Sequence, residues 1–155
     1  MAQAPKAPKP VLNTEKFAQD ILSSVERDRE REIVARRFGL FDRRETLEQI
    51  GELLGITRER VRQLEKSVVA RFRAAAERGD LPHIKEVEVA FLQQLQQSGE
   101  LARVSDLSAQ VTAENSKTDQ SRVVFLAMLC PQLVVIEEDD RYFQAVGVLA
   151  VRDAE

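Results

Sequence analysis

The sequence predicts a mainly α-helical protein that ends in a small amount of β structure, and three observations carry that expectation. Apolar residues at three- and four-residue spacing recur from Phe17 to Leu129. Most of these patterns begin beside Ser, Thr or Asn and stop at Gly or Pro, the residues that cap and break helices. Near the C-terminus, residues 133–136 and 142–146 form β-rich runs around the acidic turn Glu137-Glu-Asp-Asp-Arg141, a hairpin signal.

Taken in order, residues 1–12 are Ala, Pro, Lys and Gln with few exceptions, a composition that cannot build a core and reads as a disordered tail. Asn13 or Thr14 caps a first helix with Phe17, Ile21, Leu22 and Val25 on one side. Every residue from Glu26 to Glu32 is charged, a solvated helix surface, and Ile33, Val34 and Phe38 supply the apolar side before Gly39 ends the helix. Thr46 opens a third helix that stops at Gly55, and Thr57 caps a fourth that runs to about Arg78, ahead of Gly79-Asp-Leu-Pro82. Residues 83–97 form an amphipathic helix stopped by Ser98-Gly99. Ser105 is the expected cap of a short helix to Val111, and Thr118 that of another over 119–129, ended by Pro131. Three helices followed by a hairpin is the winged-helix order. The domains expected are therefore a tail over 1–12, a helix-turn-helix domain over 13–80 and a winged-helix-like α+β domain over 83–152.

Length and composition bound the function. A chain of 155 residues fits one or two small domains. A single Cys, Cys130, excludes an internal disulfide and a cysteine-rich zinc site. No apolar run approaches membrane-spanning length, and the N-terminus lacks the apolar stretch of a secretory signal, so a soluble cytoplasmic, nucleoid-associated protein is expected. The net charge of −3 conceals an internal division. Residues 26–78 hold fourteen bases against eleven acids, whereas residues 79–155 hold six bases against thirteen acids. Such asymmetry implies different partners for the two halves.

The chemistry concentrates in Leu47-Glu-Gln-Ile-Gly-Glu-Leu-Leu-Gly-Ile-Thr-Arg-Glu-Arg-Val-Arg-Gln-Leu64. A helix-turn-helix packs two short helices closely at a steep angle. Gly51 meets the demand for a very small residue midway along the first helix, and Gly55 tolerates the positive φ of the turn. Ile50, Leu54, Ile56, Val61 and Leu64 fall where the shared core needs apolar groups. On the second helix, Val61, Leu64, Val68 and Phe72 line one face. Glu59, Arg62, Gln63 and Lys66 line the other, with Arg58 beside them at the helix start. Arg reads guanine bidentately, Gln reads adenine and Glu accepts from cytosine in the major groove, and the first residues of a recognition helix reach base edges. An ordinary solvated face could show the same charges, but it would have no use for the two glycines and the five apolar positions around it.

These residues also resemble a family. Arg29-Glu-Arg-Glu-Ile-Val-Ala-Arg-Arg-Phe-Gly-Leu40, then Thr46-Leu-Glu-Gln-Ile-Gly51 and Thr57-Arg-Glu-Arg-Val-Arg-Gln-Leu-Glu65, are similar to region 4 of the bacterial sigma-70 family over residues 26–75. The resemblance implies that Arg58, Glu59 and Gln63 match readers of the minus-35 promoter element, with a preferred sequence similar to TTGACA, and that Thr46 and Arg62 match phosphate contacts. Thr57, Arg60 and Lys66 complete the expected phosphate set. It also implies double-stranded promoter DNA and the β flap of RNA polymerase as partners. Full members of that family carry a further region that melts the minus-10 element with aromatic residues. With no Trp and one Tyr, no such domain is expected here.

The remaining features point away from catalysis. His83 has no ligand-spaced neighbours, Cys130 suits a buried inert thiol, and Glu137–Asp140 lacks the glycine and spacing of a calcium loop. No nucleophile elbow or Gly-rich phosphate loop occurs, so no enzyme activity, metal or cofactor is expected. The helix over 119–129 carries one base, Arg122, and the hairpin tip is acidic, which would repel phosphate. Protein contact is therefore the expected role of the C-terminal domain. A competing reading makes the whole chain an adaptor that binds polymerase or a sigma regulator without reading DNA, and the presence of Arg58, Glu59, Arg62 and Gln63 argues against it.

Overall fold

The computed structural model describes residues 11–137 and 143–149. Among them are seven helices and three strands: α1 (Thr14–Leu22), α2 (Asp28–Phe38), α3 (Leu47–Leu54), α4 (Arg58–Glu77), α5 (Ile84–Gln97), β1 (Leu101–Arg103), α6 (Val104–Val111), α7 (Lys117–Leu129), β2 (Leu133–Glu137) and β3 (Phe143–Val148). The fold is mainly α, a helix-turn-helix followed by a winged-helix-like α+β region.

The expected helices form close to their expected bounds, except that α1 ends at Leu22 and leaves Val25 outside it, and side-chain caps start α1, α3, α4 and α7. Asn13 accepts the Lys16 N–H at 3.1 Å, and Gly39 closes α2 in the left-handed region at φ 65°. Two caps differ from expectation. The N-cap of α6 is Arg103, without a side-chain bond, so Ser105 lies inside the first turn. The N-cap of α7 is Ser116 rather than Thr118. Ser116 and Asp119 form a reciprocal capping box that satisfies two backbone N–H groups at once, which a cap at Thr118 could not do.

Strand β1 is an addition to the sequence reading. It is three residues long and owes its form to pairing rather than propensity. It pairs antiparallel with β3, Ala102 opposite Val146, and β3 also pairs with β2, giving the order β1-β3-β2. The expected hairpin is thus present as β2 and β3. Its acidic tip at residues 138–141, and Tyr142, lie outside the described residues, as do residues 1–10.

Two apolar clusters organise the helices. The smaller joins Ile33 of α2 to Leu47 and Ile50 of α3 and Val61 of α4, with Leu54, Ile56 and Leu64 packed partly buried around it. The larger runs from α1 through α2 and α4 into α5, α6, α7 and the sheet. Phe125 of α7 stands 5.4 Å from Phe38 of α2 and 6.1 Å edge-on from Phe72 of α4, so both halves bury side chains in one core. Leu12, which composition assigns to the tail, is buried, and its N–H donates to Val111 O at 2.7 Å. Helix α1 packs on α7, where Thr14 donates to Asp119 at 3.3 Å.

Candidate nucleic-acid interface

The geometry of α3 and α4 follows from two glycines and two threonines. A Cβ on Gly51 would stand 2.7 Å from Ile56 O, closer than real Cβ atoms come, so only glycine lets the turn close against α3. Gly55 takes φ 71°, its N–H donates to Gly51 O, and the Ile56 N–H follows to the same carbonyl at 3.0 Å. Thr46 and Gln49 form a capping box in which Thr46 Oγ1 accepts the Gln49 N–H at 3.1 Å and Gln49 Oε1 accepts the Thr46 N–H at 2.8 Å. Thr57 Oγ1 accepts the Arg60 N–H at 3.1 Å. A hydroxyl that accepts from a backbone N–H still has its own proton to donate, so both threonines can cap a helix and offer a donor to an anion.

Val61 turns wholly inward, and this sets the outward face of α4. Arg58, Glu59, Arg60, Gln63 and Lys66 are exposed and Arg62 is half-buried, and helical spacing puts all but Arg60 on one side of α4, with Arg60 at its flank. Thr57 is exposed at its start, and Thr46 is half-exposed at the start of α3.

Several of these groups are held by their neighbours. Arg62 Nε donates to both Glu59 oxygens at 2.9 and 3.0 Å. This contact holds the Glu59 carboxyl below its usual range and raises the Arg62 guanidinium. Arg58 pairs with Glu48 of α3 at 3.2 Å, with both side chains more than half exposed. Arg60 reaches Gln63 Oε1 at 3.4 Å. Such exposed pairs are weak, about 0–1 kcal/mol, so they order the face without locking it.

Behind that face, Glu65 turns toward α2. It accepts from Arg37 Nε at 3.0 Å, yet burial pushes its carboxyl up, and Glu137 at the end of β2 adds to the rise. The structure also relocates Arg122. Its Nε donates to Leu40 O at 2.7 Å and its guanidinium lies 5.8 Å from the Phe41 ring, so it faces inward and joins α7 to the α2–α3 connection.

His83 and Cys130 carry no catalytic arrangement among the described residues. His83 stacks on Phe17 and bonds Asp20 at 2.7 Å, and Cys130 is buried, donating to Leu126 O with its thiol pushed up. No group of three potential metal ligands occurs among the described residues. No helix among them is long and apolar enough to cross a membrane.

A closely packed helix pair with a glycine at the crossing, a left-handed turn and a polar second helix is the arrangement of a helix-turn-helix. Residues 27–74 match the family described as Sigma-70, region 4, and this segment is a sigma-70 region 4 helix-turn-helix. That family is a DNA-binding regulatory domain rather than an enzyme family, and the match supports a sigma-factor-like role in DNA binding and transcription for this segment.

Proposed function

We propose that the protein is a sequence-specific transcription factor that acts at promoters with RNA polymerase and reads a minus-35-type element in duplex DNA. The carrying observation is the exposed polar face at the start of α4, set by the inward Val61 and the Gly51 crossing. In this reading α4 lies in the major groove. Arg58, Glu59 and Gln63 touch base edges. Thr46, Thr57, Arg60, Arg62 and Lys66 touch phosphates, and their contacts position the helix without carrying sequence information. The β flap of polymerase is the expected protein partner of this segment, and the acidic part of the winged region is an additional surface for protein contact.

Selection of binding sites from random duplexes tests the reading. A preferred sequence similar to TTGACA is expected. Gln63→Ala or Arg58→Ala should lose about 1–3 kcal/mol on that sequence and relax the preference at one position. No enrichment of any sequence, with retained binding to polymerase, would favour an adaptor instead.

A further inference from the structure

The winged region looks unsuited to DNA by charge, but its charge is not evenly placed. Of the six bases in residues 79–155, Arg103 and Lys117 line one cleft, and among the described residues no acid from that half does. The opposite wall is the α2–α3 connection and the start of α3, with Arg43, Thr46 and Gln49. Arg43, Arg103 and Lys117 are exposed. The acids of the α2–α3 wall, Asp42 and Glu45, are outnumbered by its bases Arg37, Arg43 and Arg44, and Glu45 already accepts from Arg36 at 2.7 Å. Polar donors continue across the second wall through Thr118, Gln120 and Ser121 at the start of α7. The cleft is therefore cationic on both sides, although the half that forms one side is strongly acidic.

The walls are also fixed relative to each other. Arg122, 12% exposed in its side chain, bridges them through Leu40 O, and Phe125 locks α7 against Phe38 and Phe72. A charged cleft whose walls are joined by such contacts suits a rigid ligand of regular charge, and one strand of a duplex backbone is such a ligand.

We infer that this cleft seats the phosphate backbone of duplex DNA flanking the element read by α4, so that Arg103 and Lys117 of the winged region extend the DNA-binding surface. The inference rests on the proposed DNA reading, because Thr46 belongs both to the phosphate set around α4 and to the cleft. DNA held at Thr46 continues directly between the walls. The contacts are to phosphate alone, so they add affinity and footprint without sequence preference.

The test uses the full chain and the selected duplex, either trimmed to the core element or extended by about 10 bp, one helical turn, on each side. In the Arg103→Ala/Lys117→Ala double variant, binding to the extended duplex should weaken about three- to tenfold, equally for all sequences. The salt slope should flatten by about 2, and the trimmed duplex should bind as it does to the unchanged protein. The Arg103→Lys/Lys117→Arg variant, which keeps both charges, should retain the slope, and equal melting temperatures would show that folding is unaffected. An unchanged slope and footprint in the double alanine variant, while Gln63→Ala still relaxes base preference, would overturn the cleft alone. Binding without sequence preference that still depends on Arg103 and Lys117 would overturn the base readers and leave the cleft standing. No duplex binding at all would overturn both.

Discussion

Arg37 of α2 and Glu65 of α4 meet at 3.0 Å with side chains only 19% and 18% exposed, directly behind the face proposed to read DNA. The pair fixes the rotation of α4 about its axis, since Glu65 lies between the exposed Gln63 and Lys66 and must point to α2. Arg37→Ala should cost about 1–3 kcal/mol in urea unfolding, the penalty for leaving a largely buried charged acceptor unpaired. The pH dependence has a defined sign. Burial raises the folded-state carboxyl of Glu65, so its protonation favours the folded state, and this group's contribution falls as pH rises from the ordinary Glu range through the raised value. The stability of Glu65→Gln relative to the unchanged protein should therefore rise between pH 4 and pH 7, and an equal difference at both would contradict the burial argument.

Gly51→Ala should destabilise the protein although alanine is the better helix former. The new Cβ would meet the Ile56 carbonyl at 2.7 Å, a backbone atom that cannot rotate away. Relieving that contact opens the α3–α4 crossing, at a cost of about 1–3 kcal/mol by analogy with overpacked cores. DNA affinity measured at a temperature where the variant is still folded should fall as well, because the turn positions Arg58 and Thr57. An unchanged melting temperature would show that the crossing has slack.

Much of this arrangement was legible in the sequence because it rests on local rules. Gly51, Gly55, Thr46 and Thr57 each mark a backbone requirement that few other residues meet, and Ile50 and Val61 announce the inner face by spacing. What was not legible depends on contacts distant in sequence. The periodicity of α7 is almost uniformly apolar after Arg122, which shows burial but not its partner, and only the fold reveals Phe38 and Phe72 against Phe125. Arg122 stands in the sequence only as the one base on the helix over 119–129, with no sign that it faces inward. Its acceptor, Leu40 O, lies 82 residues away. Ser105 and Thr118 were plausible caps by type, and the competition with Ser116 was decided by Asp119 three residues on. Strand β1 has no pattern of its own to read.

Glu48 supplies a prediction about affinity rather than stability. Its carboxylate pairs with Arg58 at 3.2 Å and stands beside the surface proposed for phosphate and base contact. Binding DNA must break this pair and bring an acid near the phosphates. Glu48→Gln removes both costs, and the small worth of exposed pairs implies a gain of about two- to fivefold in affinity at low salt. The gain should shrink as salt rises, because the contact is screened. A loss of affinity on titration of the same duplex would mean that Glu48 orients Arg58 productively.

Arg122→Ala should cost about 1–3 kcal/mol, since it leaves Leu40 O without a charged donor and removes the cation beside Phe41. Arg122→Lys should recover little of this, because an ammonium lacks the planar fork that reaches the carbonyl while pairing with Asp119 at 3.5 Å. Thermal unfolding of the two variants checks this, and near-complete rescue by lysine would show that charge alone matters.

The common core of the two halves yields a final prediction, about how they unfold. Phe125 is fully buried and belongs by sequence to the winged region, but its ring contacts come from α2 and α4 of the region 4 segment. Leu12 and α1 reach the other way, from the N-terminal side onto Val111 and α7. Interfaces that merely tether domains are more polar than this, and they let each domain melt alone. Here the urea transition followed by circular dichroism should be single. Native-state hydrogen exchange should give similar opening free energies for amides in α4 and α7. Phe125→Ala should cost about 3–5 kcal/mol and lower protection in both helices together. Removing residues 83–155 should leave a region 4 segment with Phe38 and Phe72 uncovered and much reduced stability. Two separate transitions, or a truncated segment as stable as the whole chain, would show instead that the halves fold independently and that the aromatic cluster contributes little across their boundary.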